Sequence, residues 1–112
     1  MKNITQPGSN SRMRELLDNL DFSLRAELVS PMLQTLYEIA SVFAAQNQQA
    51  RAFEILTCIA HYPLPAPMAV SVSTLLDELE FQVCPRVVVD ARQRAYEITL
   101  DDLAAEVLEQ RA

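Results

Sequence analysis

A single glycine, Gly8, stands in a chain of 112 residues, and that scarcity constrains the fold more than any other feature. All-β folds rich in tight turns need residues that accept positive φ, which glycine does without steric cost. A chain without them builds from helices and short connections. The apolar spacing agrees, recurring at three and four residues along most of the sequence. The predicted class is all-α, made of antiparallel helical hairpins, with no sheet larger than a two-stranded ribbon.

The elements follow from caps and prolines. Residues 1–10 are polar, contain Pro7-Gly8, and read as a flexible tail ahead of one helical domain over 11–112. Residues 11–30 read as short N-terminal helices. Ser11 caps one from Arg12 to Leu20, with Met13, Leu16, Leu17 and Leu20 on one face. Asp21-Phe22-Ser23 reads as an interruption, with Ser23 capping two further turns that carry Leu24 and Leu28. Residues 31–62 form the central hairpin. Ser30-Pro31 suits N-cap and first helical position, and Leu33, Leu36, Tyr37, Ile39, Ala40, Phe43 and Ala44 make a broad stripe. Asn47, the non-glycine residue most tolerant of left-handed backbone, ends that helix. The second helix runs from Gln49 to His61, and residues 63–67, with three prolines, form a bend.

The C-terminal helices occupy 68–112. Val70-Ser71-Val72-Ser73 alternates like a strand, but Val72, Leu75, Leu76, Leu79 and Val83 recur at helical spacing, and the longer pattern decides for helix. Pro85 opens a helix to Ala95, with a strand left open as the alternative because Val87-Val88-Val89 favours β structure. Thr99, with Asp102 three residues on, marks the start of the last helix.

Half of the residues are apolar, enough for a real core. No apolar run approaches the roughly 18–20 residues of a membrane span and no signal-peptide core follows Met1, so a cytoplasmic protein without membrane contact is expected. The net charge of −6 is uneven. Residues 1–30 hold four basic and four acidic side chains, residues 31–67 one against two, and residues 68–112 four against nine. No basic stripe is available for a phosphate backbone, which speaks against nucleic acid.

Leu36, Ile39 and Phe43, small Ala40 and Ala52 twelve positions apart, Leu56, and Asn47 where a glycine is favoured together resemble a tetratricopeptide (TPR) hairpin. Leu36 replaces the usual aromatic, and Pro63 lies one residue from the expected place. The longer run resembles the C-terminal TPR-like tail of large signal-transducing ATPase regulators of the MalT/LuxR kind. Ala50-Arg51-Ala52, Pro63 to Pro67, Leu75-Leu76-Asp77-Glu78-Leu79, Ala91-Arg92-Gln93-Arg94-Ala95 and Leu100-Asp101-Asp102-Leu103 follow that order. The resemblance implies a TPR-like α-solenoid fragment in bacterial signalling or transcription regulation. No G-x-x-x-x-G-K-[ST] loop occurs, so it implies the tail without the motor, as a fragment or a stand-alone relative.

Chemistry-bearing residues are few. Cys58 and His61 stand at i,i+3 and Cys84 could add a ligand, but nothing completes a structural zinc set, and a Cys–His nucleophile lacks a third orienting group. Asp77, Glu78 and Glu80 read as a solvated face, and Arg92 and Arg94 as surface ion-pair partners. Phe22, Tyr37, Phe53 and Phe81 read as core or groove residues. The expected function is therefore a non-enzymatic protein-binding module with no catalytic residue, cofactor or metal. Leu16, Leu20, Leu24, Leu28 and Tyr62 are the candidate interface, and Ala40, Ala52 and Asn47 the hairpin contacts. A protein partner and self-association as a two-fold dimer are expected, because a lone hairpin leaves one face of residues 31–46 uncovered. The alternatives are a small structural domain acting only as an obligate homodimer and, remotely, a metal protein or enzyme.

Overall fold

A computed structural model of the chain describes residues 8–109, six α-helices covering 80% of the structure with no strand among the described residues. They are α1 (Gly8–Arg25), α2 (Val29–Ala45), α3 (Gln49–Ile59), α4 (Ala66–Glu80), α5 (Pro85–Ala95) and α6 (Leu100–Glu109). Of the expected tail, residues 1–7 lie outside the described residues, and residues 8–10 belong to α1.

The N-terminal reading needs correction. Residues 11–30 hold one long helix and the start of the next, because α1 runs unbroken through Asp21-Phe22-Ser23. Leu16, Leu17, Leu20 and Ser23 are all buried and fall on one helical face. That face packs on α2 and holds the backbone helical where local propensity would let it end. Asp21 and Arg25 pair at 3.1 Å across one turn, and Arg12 reaches Glu38 of α2 at 2.7 Å. Leu28 is then the extended residue preceding α2. Ser30 and Pro31 lie inside the first turn of α2, where an amide lacks an intrahelical partner and proline is tolerated.

Two hairpins in succession use the same turn. At the end of α1, Leu28 N–H donates to the Ser23 carbonyl (2.9 Å) and Glu27 N–H to that of Leu24 (3.2 Å). After α2, Gln48 N–H donates to the Phe43 carbonyl (2.8 Å) and Asn47 N–H to that of Ala44 (3.3 Å). Both are Schellman closures with the penultimate residue left-handed, Glu27 at φ 58° and Asn47 at φ 64°. Ala40 and Ala52, on the α2 and α3 that this second turn joins, are fully buried.

Among the described residues of the C-terminal half every regular element is a helix, and Val87-Val88-Val89 lies within one. Pro85 occupies the first turn of α5, and Val88, Ala91 and Ala95 form its buried i,i+3,i+7 face. Packing of that face onto α3 outweighs the β preference of three valines. Thr99 starts α6 as its Oγ1 accepts the Asp102 N–H at 3.0 Å.

Helix α3 is the centre, with α2, α4, α5 and α6 all packed on it and seven of its eleven residues buried. Helix α6 returns to touch α1. The result is a compact helical globule, closed by its first and last helices. Leu16 and Leu20, expected at an interface, are core residues, and α1 covers the α2 face that the sequence left open. Leu24 is half-buried and Leu28 exposed. Phe22 and Phe81, expected in core or groove, are exposed, the latter by 91%.

Candidate functional site

Helix α4 is the least embedded element, with Val72 and Leu79 its only buried residues. Pro63 and Pro65 deny the 60–65 connection the amides that would continue α3. The expected bend over 63–67 ends earlier, since Ala66 and Pro67 already form the first turn of α4, where a proline N–H is not needed. Beside α4 runs an open groove of about 550 Å³ between α3, α4 and α5. From α3 come Phe53 and Thr57, one turn apart and buried, with the Thr57 hydroxyl already donating to the Phe53 carbonyl at 2.7 Å. From α4 come Ala69, Val72, Ser73, Leu76, Asp77 and Glu80, a face repeating at three and four residues. Arg92 of α5 and Tyr96, the residue that caps the end of α5, form the opposite rim, while His61, Tyr62 and Leu64 contribute from the connection.

The rim is tied across its width. His61 meets Tyr96 edge to face, ring centroids 4.8 Å apart at 78°, within the range where aromatic pairs attract. Arg92 bonds Glu80 at 3.1 Å and so joins α5 to α4. Tyr96 nonetheless remains 81% exposed. The groove thus offers an apolar floor, exposed rings and carboxylates, a lining suited to holding another molecule's side chains.

A second polar cluster serves a different purpose. Arg51, Glu54, Cys58, Arg94 and Glu106 gather where α3, α5 and α6 meet, around a space of about 20 Å³ that admits no more than a water. Arg94 bonds Glu106, and that hydrogen bond raises the already high guanidinium pKa. Burial lifts the Glu54 carboxyl above the usual range, with Arg94 opposing it. Burial likewise pushes the Cys58 thiol up to about 11, so at neutral pH it is protonated and a poor nucleophile.

Several predicted residues are thereby placed. Cys58 faces the second cluster and His61 the groove, although they are three residues apart. Cys84 is exposed at the head of α5. Among the described residues no group of three or more His, Cys, Asp or Glu side chains could hold a metal ion. Tyr62 lines the groove, half-buried, whereas Leu16, Leu20, Leu24 and Leu28 do not. Asp77 and Glu80 share the groove face, and Glu78 lines a shallower cleft between α2 and α4 with Tyr37 and Val70. Sequence reading passed over Tyr96, because an aromatic just past the last residue of a helix carries no signal until α3 and α4 stand beside it. No described helix is long and apolar enough to cross a membrane. Comparison with protein-family models, curated proteins and solved structures gives no match for this chain.

Proposed function

We propose that the chain is a non-enzymatic protein-interaction module that holds a segment of a partner protein in the groove between α3, α4 and α5. The observation that carries this reading is the groove's composition. Leu64, Ala69 and Leu76, half-buried, offer apolar surface above the buried Phe53 and Val72, while Tyr62, Tyr96 and His61 stand at the rim. Tyrosine is enriched where proteins meet, because its ring gives contact area and its hydroxyl remains content in water. The resemblance to the TPR-like tail of signal-transducing ATPase regulators belongs to the same reading. It would make the module a scaffold in a bacterial signalling or transcription-regulating assembly.

The test fills the groove. Ser73 is exposed and lines it, so Ser73→Trp should block a partner without disturbing the core. A partner identified from cell extract by the wild-type chain and lost in Ser73→Trp, at unchanged circular dichroism, supports the reading. Equal capture by both chains refutes the groove.

A second reading, pairing of the chain with itself, draws on Phe22, Leu28 and Val29, which stay exposed around the turn between α1 and α2. Sedimentation of the wild type beside Leu28→Glu separates it from the first. A dimer lost in the variant supports self-association, and a monomer in both removes it.

A further inference from the structure

We infer that the groove receives a cationic side chain, a lysine or arginine set next to an apolar residue in a segment of the partner protein. This rests on the protein-binding reading and adds the chemistry of what enters. The faces of tyrosine rings attract a cation within about 6 Å, and the rim offers Tyr62 and Tyr96. The chain already uses this contact elsewhere, the Arg51 guanidinium lying 4.7 Å from the Phe43 ring centroid.

The carboxylates give the sign. Asp77 and Glu80 lie one turn apart on the α4 wall. Glu80 is balanced by Arg92 at 3.1 Å, whereas Asp77 enters no ion pair among the described residues. A negative charge without an ion-pair partner among the described residues therefore lines a cleft of mixed polar and apolar side chains with rings at its rim. An anionic ligand would have to take Arg92 from Glu80 and leave two carboxylates beside it. The surrounding field points the same way, since residues 68–112 carry four arginines against nine carboxylates. Such a field steers cations in and turns anions away. Leu64 and Leu76, both half-buried in the groove wall, ask for an apolar neighbour beside the cation.

The experiment selects random dodecapeptides displayed on phage against the full chain and maps the binding site of the winners by amide chemical shifts. Groove-bound peptides enriched in lysine or arginine beside an apolar residue are expected, with affinity falling as salt is added. Asp77 is exposed, so its variants keep the fold, and circular dichroism checks that they do. Asp77→Asn should weaken such peptides about two- to fivefold, in line with an exposed ion pair. Asp77→Lys should weaken them at least about tenfold through like-charge repulsion. Peptides that fill the groove without a basic residue, or that anchor an acidic one on Arg92, overturn the cation and leave the protein-binding reading standing. Peptides that bind only elsewhere, or no peptides at all, overturn both.

Discussion

Glu27 and Asn47 occupy the same place in two successive helix turns, each the left-handed residue of a Schellman closure, at φ 58° and 64°. Chemically they are not equals. Left-handed backbone costs an ordinary L-residue roughly 1–2 kcal/mol, and asparagine escapes part of that through its short polar side chain. Glu27 has no such relief, so the turn after α1 is held left-handed by the packing of α1 on α2.

Glycine at these positions should therefore stabilise the protein unequally. Glu27→Gly is expected to gain about 1 kcal/mol and Asn47→Gly only a few tenths, since glycine adopts positive φ freely. Urea denaturation midpoints check this. A loss at Glu27, or a larger gain at Asn47, would show that left-handed backbone at Glu27 carries no more strain than at Asn47.

Ala40 and Ala52 are both fully buried on the paired helices α2 and α3. Leucine at either position inserts three carbons into a filled core and should destabilise by about 1–3 kcal/mol. The readout is the thermal midpoint, which for a chain of this size moves about 4–8 °C per kcal/mol. An unchanged melting curve for Ala40→Leu would mean that the α2–α3 contact has room to spare.

The two thiols should differ in reactivity. Cys58 is buried with its pKa raised to about 11, and Cys84 is exposed. One thiol per chain should react promptly with a disulfide reagent at pH 8, and Cys84→Ser should abolish that fast phase. The slow phase reports opening of the core around Cys58. Two equally fast thiols would place Cys58 at the surface.

Glu54 gives a pH signature. Burial raises its carboxyl pKa in the folded chain, so the folded state binds the proton more tightly than the unfolded one. Stability from this group is complete below the ordinary glutamate value of about 4.3 and is lost as pH climbs through the raised one. Glu54→Gln should melt higher than the wild type at pH 7, with the gap closing towards pH 4. A constant gap across that range would mean the carboxyl is not perturbed by folding.

Much of the helical architecture could be read from local features. Thr99 and Asp102 mark the start of α6 because a hydroxyl three residues ahead of an amide is a local geometry. Asn47 marks the end of α2 through its own conformational tolerance. Val72 and Leu79, seven residues apart, fix α4 as a helix and are its two buried residues. The interface residues were less legible. Leu16 and Leu20 advertise an apolar face, but a sequence does not say whether that face meets the same chain or another one.

The sequence by itself determined that the chain is helical, through one glycine, sustained three-to-four-residue spacing and well-placed prolines. Those signals act within one or two turns of backbone, and no later packing overruled them in α2, α3 or α6. Tertiary structure decided the rest. Burial of Leu20 and Ser23 carried α1 through Asp21-Phe22-Ser23, where local preference pointed to a break. It also drew Val87-Val88-Val89 into a helix, since Val88 and Ala91 gain more against α3 than an isolated strand could offer. The groove is wholly of this second kind. His61 and Tyr96 are 35 positions apart, and their rings meet only because α3, α4 and α5 converge at angles set by side-chain packing.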